Sequence, residues 1–186
     1  IKAAHIDVAQ IAEEPLDTPL GFGSGAGTIF GTTGGVMEAA LRSAYNFITG
    51  ENPSVDTFET IRGEKGWREA AFELPGKKLN VAIAHGLKNA SALLEAISTG
   101  AASYDFVEVM ACPGGCVGGG GQPIHDGCNS VSDRMEVLRT LDNKSQIRFC
   151  HENPMIIACY DNYLGERGSK RAHELLHTDH TAWSLV

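Results

Sequence analysis

The chain has 186 residues, 42% hydrophobic and 20% charged, which is enough for one substantial domain and too few for two comfortable ones. A formal net charge of −8 argues against a surface built for nucleic acid or anionic lipid, since either needs a basic stripe. No apolar run approaches the ~20 residues that span a bilayer, so membrane insertion is not expected.

The chain opens on Ile1 rather than Met and reads as part of something longer, so the lack of a targeting segment excludes nothing. Residues 1–23 look extended, with Pro15 and Pro19 blocking a long helix. Ile6, Val8 and Ile11 are expected to pack against the body. Gly21, Gly23, Gly25 and Gly27 then lead into Thr28, Ile29 and Phe30. Their spacing fails the Gly-x-Gly-x-x-Gly dinucleotide fingerprint, because Thr28 and Phe30 stand where the third glycine belongs. No lysine lies nearby to make a phosphate-binding P-loop. On spacing alone these glycines read as a tight strand-to-helix turn.

A helix is predicted after Gly31, capped by Thr32 or Thr33, with Glu38 in the first turn where the macrodipole favours negative charge. Val36, Ala40, Leu41, Ala44, Phe47 and Ile48 fall on one face, and Gly50 is placed to end the helix. A strand is predicted over Thr57 to Arg62. Trp67 to Leu74, Pro75-Gly76 and Lys78 to Ala84 read as a β-hairpin. Asn89 to Ser98 reads as a helix with Ala92, Leu93, Ala96 and Ile97 inward. Tyr104 to Met110 is short and rich in β-branched and aromatic residues, as a buried strand is. Strand, helix and strand within ~30 residues make a βαβ unit. The expected class is α/β: a mixed, βαβ-containing sheet flanked by helices.

Three more helices are predicted. One is capped by Ser130 or Ser132 and runs through Leu141, with Val131, Met135, Val137, Leu138 and Leu141 apolar. Another opens on Asn153-Pro154 and stops at Gly165. The last starts at Ser169 and ends at Leu176.

The chemistry concentrates at the end of the strand that reaches Met110. Ligands in open α/β sheets bind beyond the carboxyl ends of the strands, where Cys112 stands with His85 at the end of the preceding strand. Cys116 follows in a glycine-rich loop that leaves backbone amides bare. Thiolates among amide donors suit a soft metal or an iron–sulfur cluster. The residues leave other readings open. A zinc site could recruit His125 and Cys128, although the spacings fit no common module, and the pair could also be inert buried thiols. A thioredoxin-like pair would have a shorter spacing. The five cysteines, with Cys128, Cys150 and Cys159 completing the set, are odd in number and irregularly placed. A reducing compartment suits them better than a disulfide framework. His173 and His177 share a helix face at a metal-capable spacing, but with no third ligand evident they read as structural.

The stretch Glu108-Val109-Met110-Ala111-Cys112-Pro113-Gly114-Gly115-Cys116-Val117-Gly118-Gly119-Gly120-Gly121-Gln122-Pro123 resembles the third cysteine signature of the catalytic domain of iron-only (FeFe) hydrogenases. Ser24 to Arg42, through Ile29-Phe30-Gly31-Thr32-Thr33-Gly34-Gly35, is similar to a second hydrogenase block. Arg171 to Thr178 continues the resemblance. It implies that residues 1–186 are the C-terminal half of that catalytic domain, one lobe of it, with the N-terminal half absent.

The cofactor implied is a 4Fe-4S cubane bridged to a di-iron subcluster bearing carbon monoxide, cyanide and a dithiolate. Cys112 would be a cubane ligand and Cys116 the bridging ligand, while Met110, Phe30 and Gly31 would line the di-iron pocket. The implied activity is reversible interconversion of protons and electrons with molecular hydrogen. It would be ferredoxin- or NAD-linked, belong to anaerobic hydrogen metabolism, and take place in the cytoplasm. The family's other two cysteine signatures, its proton-relaying cysteine and its cyanide-gripping lysine are not in this chain, so the chain alone is expected to be inactive. Cys128, Cys150 and Cys159 match none of the missing ligands and read as packing or surface residues. The alternative is a non-enzymatic iron–sulfur assembly or prelamin A recognition factor, which shares the third signature; the Ile29 to Ala40 block favours hydrogenase. A zinc-stabilised structural domain is a third reading.

Overall fold

Val81 to His85 are all buried, and this run forms the centre of the molecule. The computed structural model describes residues 1–17, 21–123 and 130–178. Strand β1 (Trp67–Leu74) pairs antiparallel with β2 (Lys77–His85), as the proline–glycine turn predicts. Helix α3 (Leu87–Ser98) carries the chain over to β3 (Phe106–Met110), which lies parallel to β2. The sheet order is β1-β2-β3.

Alternation along β2 sends its side chains to two cores. Val81 and Ile83 join Phe58, Ile61 and residues of α2 (Gly35–Thr49), while Ala82 and Ala84 meet Leu93 of α3. Helices thus cover both faces of a mixed sheet, which is the α/β class expected. Helix α1 (Gly25–Thr28) precedes α2, and α4 (Val131–Lys144), α5 (Pro154–Cys159) and α6 (Lys170–Leu176) follow the sheet. Ser130 caps α4 in a full capping box with Asp133, Asn153 caps α5, and Ser169 caps α6. A π-helical turn, Tyr160–Leu164, continues α5 up to Gly165.

Several local expectations are corrected. Ile6, Val8 and Ile11 are exposed and pack against nothing that would bury them. The glycines at 25 and 27 build α1, which passes into a 3-10 turn over Ile29–Gly31, where a strand end was expected. Glu59–Ile61 is a 3-10 turn and not part of a strand; it brings Phe58 and Ile61, spaced three apart, into the same core.

The inward face of α2 is Met37, Glu38, Leu41 and Arg42, while Phe47 and Ile48 are exposed. The hydropathy pattern missed it because half of that face is charged. Buried Glu38 accepts from Arg42 (2.7 Å), Arg62 (2.8 Å) and Arg139 (3.0 Å). Arg42 also grips Asp142 of α4 at 2.7 and 2.9 Å, and Arg148 joins Asp142 at 3.2 Å. On α3, Leu93 is buried but Ala92 and Ile97 are exposed; on α4, Met135 is buried but Val137 and Leu141 are exposed.

Candidate metal centre

Strand β3 positions the cysteine loop, and Glu108 ties that strand to α2. Its buried carboxylate accepts the amide of Gly34 at 2.6 Å and that of Met37 at 2.7 Å. Neither threonine caps α2. Gly34 is the N-cap, at φ 85, while the Thr32 hydroxyl donates to Ile29 O and Thr33 Oγ1 accepts from Arg68. The helix's positive end is therefore met by a carboxylate from a distant strand.

At the strand ends the register sets His85 opposite Met110, whose carbonyl accepts from Gly86 N–H at 2.9 Å. The loop then turns through Gly114 (φ 78) and Gly115 (φ 96), a conformation that glycine alone adopts without strain. Gly114 is held from both sides: its N–H donates to His85 Nδ1 at 2.9 Å, and its carbonyl accepts from Thr33 N–H at 2.9 Å. Because Nδ1 accepts, the imidazole is neutral with its proton on Nε2, which donates to Glu64 O at 3.0 Å.

The loop lies directly on the 29–34 segment. A Cβ at Gly115 would come within 2.8 Å of both Gly31 O and Thr33 N. A Cβ at Gly31 would meet Leu138 Cδ1 at 2.7 Å. This contact joins two blocks far apart in the sequence and opens a cavity of about 430 Å³ between them. Gly31, Cys116, Val117, Arg134, Val137 and Leu138 line it.

Cys116 is exposed and Cys112 half-buried, and both are free thiols, as are Cys150 and Cys159. Cys112 Sγ lies 3.4 Å from where a Gly119 Cβ would stand, so the loop is bare of side chains next to that sulfur. Phe30 sits beside Gly31 but is 48% exposed, and Met110 is half-buried at the end of β3. Neither is among the residues lining the cavity. Gly31 and Cys116 are brought together there.

Among the described residues no three His, Cys, Asp or Glu side chains converge as a metal site would require. His173 and His177 stack on each other with centroids 4.4 Å apart, in keeping with a structural role. His125 and Cys128, the extra ligands of the zinc reading, lie outside the described residues. The donor set here is two thiols on an amide-rich loop. Two thiolate donors of this kind are chemically suited to a share of iron–sulfur ligation.

Sequence reasoning missed Glu108 and Arg134. A glutamate inside a short apolar strand was the available signal, since a buried carboxylate must find partners. Arg134, whose Nε donates to Val117 O at 2.8 Å, gave no signal beyond its place on a helix.

Residues 1–120 match the family "Iron only hydrogenase large subunit, C-terminal domain", and residues 129–183 match "Iron hydrogenase small subunit". This chain belongs to the iron-only hydrogenase family. It is 46% identical to the NADP-reducing hydrogenase subunit HndD of Solidesulfovibrio fructosivorans, across 96% of this chain and 30% of that protein. It is 42% identical to iron hydrogenase 1 of Clostridium pasteurianum, across 95% of this chain and 32% of that protein. The chain thus spans about a third of the length of these curated hydrogenases.

An FeFe-hydrogenase structure, HydA1 from Chlamydomonas reinhardtii, superposes with a TM-score of 0.67 at 42% identity, covering 95% of this chain and 51% of that one. The cytosolic Fe-S cluster assembly factor narfl of Xenopus tropicalis is more distant, at 30% identity over 95% of this chain and 38% of its own. Hydrogenase is therefore the better-supported branch of the family. No helix among the described residues is long and apolar enough to cross a membrane.

Proposed function

We propose that this chain is the C-terminal part of an iron-only hydrogenase catalytic domain, holding one side of a 4Fe-4S cubane bridged to a di-iron subcluster. The observation that carries this is the docking of the Cys112–Gly119 loop, backbone against backbone, on the Ile29–Gly34 segment. It gathers the two sequence blocks that resemble hydrogenases around one cavity. When bound, the iron centre supplies electron storage and the hydrogen chemistry.

The residues of this chain hold and shield it. Cys112 would hold the cubane, and Cys116, at the cavity, would hold the di-iron side of the cluster. Val117 and Leu138 give the cavity an apolar wall, which would strengthen the electrostatics inside once the rest of the domain covers it. Gly31 lines the cavity and would face the di-iron side, where Phe30 and Met110, outside the cavity lining in this chain, would join it only once the rest of the catalytic domain is in place. The loop is bare of side chains beside the Cys112 sulfur, which would let its backbone come close to a bound cluster.

The partners are the N-terminal half of the domain and an electron carrier, either ferredoxin or NAD-linked. A cytoplasmic setting is supported by the free thiols, and cell fractionation tests it against the periplasmic Nitratidesulfovibrio vulgaris relative.

The test is hydrogen evolution from reduced dye by the intact protein. Cys116→Ser should abolish it, because a harder oxygen ligand weakens the bridge, whereas Cys159→Ser should leave it intact. Near-full activity in Cys116→Ser would sink the assignment. An intact protein that binds iron and evolves no hydrogen under any reductant would favour the assembly-factor branch instead.

A further inference from the structure

A second cavity, of about 280 Å³, lies between α2, the 3-10 turn Cys150–Glu152, α5 and the π-helical turn. Its walls are Phe47, Ile156, Ile157 and Tyr160, with Arg167 at one side and Cys150 in the lining. The hydrogenase reading uses none of these residues.

The Cys150 thiol stands at the head of a chain of hydrogen bonds whose direction can be worked out. Asn52 Nδ2 donates to the Glu152 carboxylate at 2.5 Å, so Asn52 Oδ1 is an acceptor. It receives Asn46 Nδ2 at 3.1 Å and His151 Nε2 at 2.8 Å. His151 therefore carries its proton on Nε2 and presents a bare Nδ1. Ser43 Oγ lies 3.0 Å from that nitrogen and donates to it. The Ser43 oxygen is left to accept from Cys150, whose Sγ is 3.2 Å away. Every link points the proton from sulfur towards the imidazole.

The imidazole is locked in place as well. Phe149 stacks on it at 5.4 Å and Phe47 meets it edge-on at 5.7 Å. Burial, with Arg167 acting in the same sense and Glu152 against it, lowers the His151 pKa and keeps the ring neutral, as a base must be. Arg42 and Arg148, both over the Phe149 ring, are the other charges packed near it.

We propose that Cys150 is a relay-activated thiol that accepts a small disulfide with an apolar or aromatic body and a carboxylate, forming a mixed disulfide. The body would fill the space between Phe47 and Ile156, and the carboxylate would face Arg167, whose guanidinium lies 4.6 Å above the Phe47 ring. In the reaction the Cys150 proton passes to Ser43 as the Ser43 proton passes to His151 Nδ1. The thiolate then attacks one sulfur of the disulfide. A new S–S bond forms, the old one breaks, and its electron pair leaves with the second thiolate, which is reprotonated by the same path. The disulfide is the oxidant, and no other is needed.

The test uses the intact protein with 5,5′-dithiobis(2-nitrobenzoate), an aromatic dicarboxylate disulfide, and with cystamine, a cationic one. Site-resolved mass spectrometry reads the labelling of each cysteine. At pH 7 Cys150 should react about tenfold faster than Cys159 with the anionic probe, and that preference should fall with cystamine. Ser43→Ala should slow Cys150 about tenfold at pH 7 and hardly at all near pH 10, where hydroxide removes the proton directly. A merely structural serine would not produce that pH-dependent convergence. Equal rates at Cys150 and Cys159, no labelling at Cys150, or a fast Cys150 indifferent to Ser43→Ala would each overturn the proposal. None of these outcomes depends on hydrogenase activity.

Discussion

Glu108 Oε1 lies 2.6 Å from the amide nitrogen of Gly34, and both groups are buried. Through this bond and its companion to Met37, the strand leading to the cysteine loop is fastened to the start of α2. We expect Glu108→Gln to cost about 2–3 kcal/mol, since the charge is lost and an NH2 group is turned on one of two amides that need acceptors. Chemical denaturation of the intact protein measures this. A loss below about 0.5 kcal/mol would mean the cap contributes little beyond packing.

Gly115 allows the loop to touch the 29–34 segment. Gly115→Ala sets a methyl 2.8 Å from backbone atoms on the other side, at a φ of 96 that alanine avoids. We expect a stability loss of about 1–3 kcal/mol and reduced iron content after anaerobic reconstitution. Gly120→Ala is the control, since its Cβ would meet nothing within 4 Å. Equal iron content in both variants would dissociate the loop's docking from cluster binding.

A third expectation concerns acid. Burial raises the Glu38 pKa, but the hydrogen bond from Arg62 and the charges of Arg42, Arg62 and Arg139 outweigh it and bring it from 4.5 down to about 2. The unfolded chain therefore takes up this proton first on acidification. The stabilisation is complete above pH 4.5 and is lost as pH falls towards 2, on the order of 3 kcal/mol in all. The stability gap between the parent and Glu38→Gln should be widest near neutrality and close across that window in urea titrations. A gap independent of pH would contradict it.

The cysteines should separate by iron content. Cys112→Ser is expected to lower bound iron in the reconstituted intact protein, whereas Cys159→Ser should retain it and cost at most about 1–3 kcal/mol of stability. Iron assay and electron paramagnetic resonance measure both. Loss of iron in Cys159→Ser with retention in Cys112→Ser would reverse the ligand assignment.

The hairpin, the βαβ crossover and the starts of α4, α5 and α6 were legible in the sequence because each rests on local chemistry. Pro75-Gly76 makes the turn, and Ser130, Asn153 and Ser169 bond to amides within their own first turns. The start of α2 was not legible, because its acceptor comes from Glu108 in a distant strand. Nor was its inward face, where Glu38 and Arg42 are buried against Arg62 and against Arg139 and Asp142 of α4. Gly31 and Cys116, which meet at the cavity, were singled out by motif and resemblance, whereas Phe30 and Met110 do not line it. The roles of Gly115 as a contact and of Arg134 as cavity wall belong to tertiary structure.

The bonds that locate the cysteine loop all reach across the chain: Thr33 to Gly114, Gly34 to Glu108, and Gly114 to His85. None can form within a local segment, and each requires closure of a long loop before it returns any stabilisation. The hairpin of β1 and β2 faces no such delay. In a folding experiment the amides of Val81 and Ile83 should gain protection from hydrogen exchange well before those of Thr33 and Gly114. An iron cluster delivered to the nascent chain would meet a formed sheet and an unformed cradle, so metallation follows folding in time.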